Sequence, residues 1–130
     1  MELVLRRRGH PPHSTWKLFG AGSVGSQTIT GIPVVSRLRH DPELMTISRV
    51  WPFEVTVPEL PPGEPAVIHA EIWPSLIDVA TIEGQVKDET QVICLAQEFR
   101  NRDRARTLRN LFAAAGSGTA VEEGWILAVS

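Results

Sequence analysis

The chain has 130 residues, 42% of them hydrophobic and 22% charged, a composition that suits one globular domain and excludes disordered and fibrous classes. A formal net charge of −2 gives no overall footprint for nucleic acid, so any basic surface must be local. One cysteine, Cys94, excludes an intrachain disulfide and a cysteine-built zinc site, and places the expectation in the cytoplasm.

Residues 1–14 combine a short apolar start with Arg6, Arg7, Arg8, Pro11 and Pro12, and are expected to form a mobile or extended arm on a single α/β domain spanning 1–130. The apolar start is too short for a signal segment, and no later run reaches the roughly 18 apolar residues of a membrane span. In GAGSVGS, Gly20, Gly22 and Gly25 satisfy G-x-G-x-x-G. A dinucleotide site needs a buried strand entering those glycines and an acid about 20 residues on. Lys17 interrupts the short apolar lead, and Asp41 and Glu43 follow a helix end. Two readings stand: a nucleotide-binding loop, or a tight turn with Ser23 or Ser26 capping the next helix.

Val24, Ile29, Ile32, Val35 and Leu38 fit a loose helical stripe, and Pro33 predicts a kink or two short helices. Asp41-Pro42 ends the segment. Thr46 to Val57 is rich in β-branched and aromatic residues and reads as a strand with an edge or bulge at Pro52. PELPPGEP, 58–65, is a turn.

Residues 66–76, AVIHAEIWPSL, are the expected central strand. Alternation puts Val67, His69, Glu71 and Trp73 on one face and Ile68, Ala70 and Ile72 on the other. His69 and Glu71 then lie roughly 6 to 7 Å apart. A carboxylate in an apolar strand must meet water, a cation or a hydrogen-bond donor, because burying it unpaired is costly. Glu71 is therefore either wet at the strand end or a ligand.

From Asp88 to Arg100, Val92, Leu95, Ala96 and Phe99 form one stripe at helical spacing, with Cys94 pointing away. Asp88 and Gln91 have the form of a capping box. Arg100, Arg102, Arg104, Arg106 and Arg109 can track phosphates or form a solvated face. Leu108, Leu111 and Phe112 lead a second helix to Gly116; residues 116–119 form a loop and Trp125 to Val129 a final strand or docked tail.

Five stretches in this order, KLFGAGSVGSQTITGIPVVSRLR, WPFE at 51–54, AEIWPSL at 70–76, VKDETQV at 86–92 and EEGWIL at 122–127, resemble a family of nucleases with a ribonuclease H-like fold. Many bacterial members of that family carry names linking them to cobalamin or molybdopterin guanine dinucleotide synthesis. The resemblance implies a mixed sheet flanked by helices, phosphodiester hydrolysis, and a site for Mg²⁺ or Mn²⁺ in which Glu71 and Asp88 are catalytic ligands. Arg100, Arg102, Arg104 and Arg106 would then face nucleic acid. The family's opening strands and first aspartate have no counterpart in MELVLRRRGHPPHS, and Gln91 stands where a second helix acid is common. A truncated or inactive member is thus within the expectation, as is an exposed sheet edge covered by a second copy or another chain. The alternatives are a non-catalytic binding or assembly module, in which Asp88 only caps its helix, and a nucleotide-binding protein using residues 20–25.

Overall fold

The computed structural model describes residues 2–7, 9, 13, 16–20, 23–55, 60–61, 63–74, 84, 86–115 and 124–127. It is an α/β arrangement of α1 (Glu2–Arg7), α2 (Gly25–Arg39), β1 (Ser48–Val50), β2 (Val67–His69), α3 (Lys87–Arg104) and a 3₁₀ helix, Leu108–Ala115. The loop at 116–119, Gly22 of the glycine motif and the end of the tail lie outside the described residues.

β1 and β2 pair in parallel, with Ser48 opposite Val67, Arg49 opposite Ile68 and Val50 opposite His69. The Trp51 N–H extends the ladder by donating to the His69 carbonyl at 2.9 Å. Beyond β2, Glu71 makes an isolated parallel bridge with Ile126, and the Leu127 N–H donates to the Glu71 carbonyl at 2.9 Å. Backbone groups two residues apart on a regular strand face the same edge. The tail therefore takes over the edge that β1 leaves at Trp51, which agrees with Trp51 and Leu127 sharing one core cluster. Among the described residues the sheet has two strands, β1 and β2, and its pairings, the Glu71 bridge included, are parallel.

The strand expected over Thr46 to Val57 is shorter for a physical reason. Pro52 has no N–H to give a ladder, and residues 51–54 turn away, with a cis bond between Trp51 and Pro52. Trp51 instead becomes the centre of the core. Its ring meets Phe112 edge to face at 5.4 Å and 88°, and Val55, Leu60, Ile68, Ala70, Phe99 and Leu111 pack around Trp51 and Leu127. Of the two faces that alternation defines, the one carrying Ile68 and Ala70 is turned inward.

The opening residues are helical rather than extended, since α1 spans Glu2–Arg7 and buries Leu5. A helix this short is unstable alone, so packing of Leu5 anchors it. α2 is one continuous helix through Pro33 rather than two short ones. It lies against β1. Its N-cap is Val24, with no side-chain capping bond, so neither serine caps it.

α3 buries a stripe rotated from the one expected. Thr90 and Leu95 are buried, while Gln91, Cys94, Glu98, Phe99 and Arg102 are half-buried and Val92 is 64% exposed. The Thr90 hydroxyl donates to the Val86 carbonyl, which lets a polar side chain sit inside. After Arg104 the helix closes in a Schellman motif. The Arg106 N–H donates to the Asp103 carbonyl and the Thr107 N–H to the Arg102 carbonyl, both at 2.9 Å. Arg106 takes the left-handed position with φ 57°, where glycine is usual and another residue costs roughly 1–2 kcal/mol.

Candidate functional site

Glu71 is placed by the parallel ladder. Its backbone is fixed by Leu127, and it remains exposed as a residue while protein around the carboxyl removes part of its hydration. That desolvation raises the carboxyl pKa above the ordinary glutamate value. A carboxylate in such a place is stabilised by a cation or by a proton.

Asp88 stands exposed in the first turn of α3, beside Glu89. It is not the helix cap. The helix begins at Lys87, its N-cap is Val86 in an extended conformation, and no side chain makes a capping bond there. The capping box suggested by Asp88 and Gln91 is thus not formed. The carboxylate still suits the positive pole of the helix.

Among the described residues no group of three or more His, Cys, Asp or Glu side chains is gathered as a metal set. His69, on the strand with Glu71, has another role: its Nε2 lies 2.6 Å from the Ser48 hydroxyl. Ser48 is fully buried and His69 half-buried, so this serine and histidine form a clasp between β1 and β2. No sequence pattern signals this pair, because it depends on the register in which the two strands pair.

The arginines divide by what they touch. Arg102 pairs with Glu98 one helical turn earlier at 2.6 Å. Arg109 donates through Nη2 to the Leu60 carbonyl at 2.7 Å and so ties the proline-rich turn to the 3₁₀ helix. Arg100, Arg104 and Arg106 are exposed. Arg100 and Arg104, one turn apart on α3, present their charge to solvent, whereas Arg106 joins Asp103 and Arg109 along a groove floored by Ile68, Ala70 and Ile72.

Residues 16–20 contain no strand, Gly20 turns with φ 89°, and the Gly25 N–H at the start of α2 already donates to the Lys17 carbonyl. That amide is spent on the turn itself. No helix among the described residues is long and apolar enough to cross a membrane. Comparison with protein-family profiles, with curated proteins and with solved structures finds no match.

Proposed function

We propose that the chain is a metal-binding protein of the ribonuclease H-like nuclease class, with Glu71 and Asp88 as ligands for Mg²⁺ or Mn²⁺. The observation that carries this reading is the Glu71 carboxyl, held on a parallel strand pairing and desolvated enough to raise its pKa. Keeping an acid there lowers stability at neutral pH unless a cation offsets the cost. Asp88 is the second oxygen ligand this reading requires, and its carboxylate is exposed in the first turn of α3.

The donor chemistry fits. Mg²⁺ takes oxygen ligands, and is commonly held by one or two carboxylates with water and substrate phosphate completing the shell. Bound there, the ion would activate water and stabilise the leaving oxygen of a phosphodiester. The chain's own residues would supply the two carboxylates, and Arg100 and Arg104 would draw the phosphate backbone towards α3. Among the described residues no three His, Cys, Asp or Glu side chains gather as a metal set, so metal binding by Glu71 and Asp88 comes before any claim of hydrolysis.

The test is a calorimetric titration of the chain with Mn²⁺ and Mg²⁺, alongside Glu71→Ala and Asp88→Ala. Binding that is lost in both variants supports one shared site and leads to assays on single- and double-stranded DNA and RNA. Binding that survives either substitution, or no binding by the native chain, removes the proposal.

A second reading, an assembly module, is favoured by a separate observation. Trp16 is 90% and Phe19 86% exposed, and Ile29, Ile32, Val34, Val35 and Leu38 of α2 are exposed as well. Surfaces of this kind mark interaction sites. Light scattering over a concentration series, with Ile29→Lys/Ile32→Lys as the control, tests it: a dimer that the double variant abolishes supports assembly through α2, and a monomer at all concentrations does not.

A further inference from the structure

We propose that the groove between β2 and the end of α3 binds a small amphiphilic anion, a hydrocarbon body with one carboxylate or phosphate head, and that Arg106 holds the head. This goes beyond the metal reading and does not depend on it. The groove has a volume of about 810 Å³, within the roughly 300–1,000 Å³ usual for small-molecule sites. Its apolar lining includes Ile68, Ala70 and Ile72 from the β2 segment and Phe99, Leu108 and Phe112 from α3 and the 3₁₀ helix.

The lining decides the ligand's body. A nucleobase buried against these side chains would leave ring nitrogens and carbonyls without partners, a penalty that hydrocarbon does not incur. The rim decides the head. Its charged side chains are Asp103, Arg106 and Arg109, a net positive set, and the Arg109 guanidinium already serves the Leu60 carbonyl. Arg106 is exposed, and no hydrogen bond or ion pair engages its side chain among the described residues.

Arg106 also occupies its place against local preference. The Schellman closure of α3 would be better served by glycine at φ 57°, yet a guanidinium is put at the groove rim there. Backbone strain of this kind, when it presents a charged group to an apolar cleft, is a reason to look for a ligand.

The closing experiment titrates the full chain with decanoate, decyl phosphate and decanol below their micelle-forming concentrations, followed by amide chemical shifts, in the native protein and in Arg106→Gly. Glycine suits the left-handed position, so this variant folds and melts at or above the native temperature. Binding of decanoate or decyl phosphate, with shifts at Ile68, Ala70, Ile72 and Leu108 and about tenfold weaker affinity in Arg106→Gly, is the expected result. Whichever of the two anions binds more tightly identifies the head. Equal affinity for decanol, unchanged affinity in the variant, shifts confined to α2, or no binding overturns the proposal.

Discussion

Arg39 and Glu54 form a two-point ion pair, Nε to Oε2 at 2.7 Å and Nη2 to Oε1 at 3.0 Å, and the same Oε2 accepts the Val50 N–H at 2.7 Å. One carboxylate thereby joins the end of α2, the end of β1 and the turn that follows. The hydrogen bond from Arg39 is the main cause that lowers the Glu54 pKa, with the Val50 amide and the charges of Arg39 and Arg49 adding to it against some desolvation.

The pH dependence follows from that direction. A lowered folded-state pKa means the unfolded chain binds the proton more tightly, so the stabilisation is present above the unfolded glutamate pKa of about 4.3 and is lost as pH falls through the folded value. Glu54→Gln is expected to flatten the acid limb of stability against pH. Because both side chains remain accessible to water, the effect at neutral pH is modest. Urea midpoints between pH 3 and 7 for both proteins check this, and an unchanged acid limb would refute it.

Glu71 should behave with the opposite sign. Its pKa is raised by desolvation, so the folded chain binds the proton more tightly and Glu71 costs stability as pH rises from the unfolded value through the folded one. Glu71→Gln is therefore expected to raise the melting temperature at pH 7 in metal-free buffer, with the gain shrinking towards pH 4. A lower melting temperature at pH 7 would show that the carboxylate already has a compensating partner. The contrast with Glu54 separates an acid kept for structure from one kept at a cost.

Ser48→Ala is expected to destabilise the chain by about 1 kcal/mol, the net worth of a hydrogen bond whose other partner, His69, is only half-buried. The hydroxyl is buried and lies 2.6 Å from His69 Nε2, so its loss leaves the imidazole without that bond. Chemical denaturation measures the change. Ser48→Thr tests whether the clasp or the space matters, since it keeps the hydroxyl but adds a methyl group in a filled site.

Gly124→Ala is expected to cost about 1–3 kcal/mol, by two independent causes. The residue has φ 77°, and an added Cβ would lie 3.2 Å from Phe53 Cζ. Gly124 immediately precedes half-buried Trp125 and buried Ile126 and Leu127, so the strain would be passed to the tail beside Glu71. Thermal melts of the variant, paired with Gly63→Ala, where φ is 88° but nothing is nearby, separate crowding from backbone strain.

Part of this was legible in the sequence. The stretch 66–76 announced a strand with Ile68 and Ala70 on one face, of which Val67–His69 forms β2, and α3 announced itself from Asp88 onwards, because local period and apolar spacing decide such features. The direction of the α3 stripe was not legible: Thr90 and Cys94 turn inward while Val92 faces solvent, since tertiary contacts choose the buried side. At the candidate site, the sequence singled out Glu71 and Asp88 as acids in unusual places. It could not show that Val86 rather than Asp88 is the N-cap, or that Arg109 is committed to Leu60, because these rest on backbone geometry and on a contact between distant segments.

The parallel pairings also set an order of assembly. β1 meets β2 across a short loop, whereas Glu71 meets Ile126 only after all of α3 and the 3₁₀ helix have been laid down between them. Each doubling of loop length adds about 0.6 kcal/mol of closure cost, so the tail is expected to dock after the first pair has formed. Substitutions at Gly124 should then speed unfolding and leave the refolding rate nearly unchanged, while those at Ser48 slow refolding. The surroundings that perturb Glu71 would be the last part of the chain to exist, and the first to be lost.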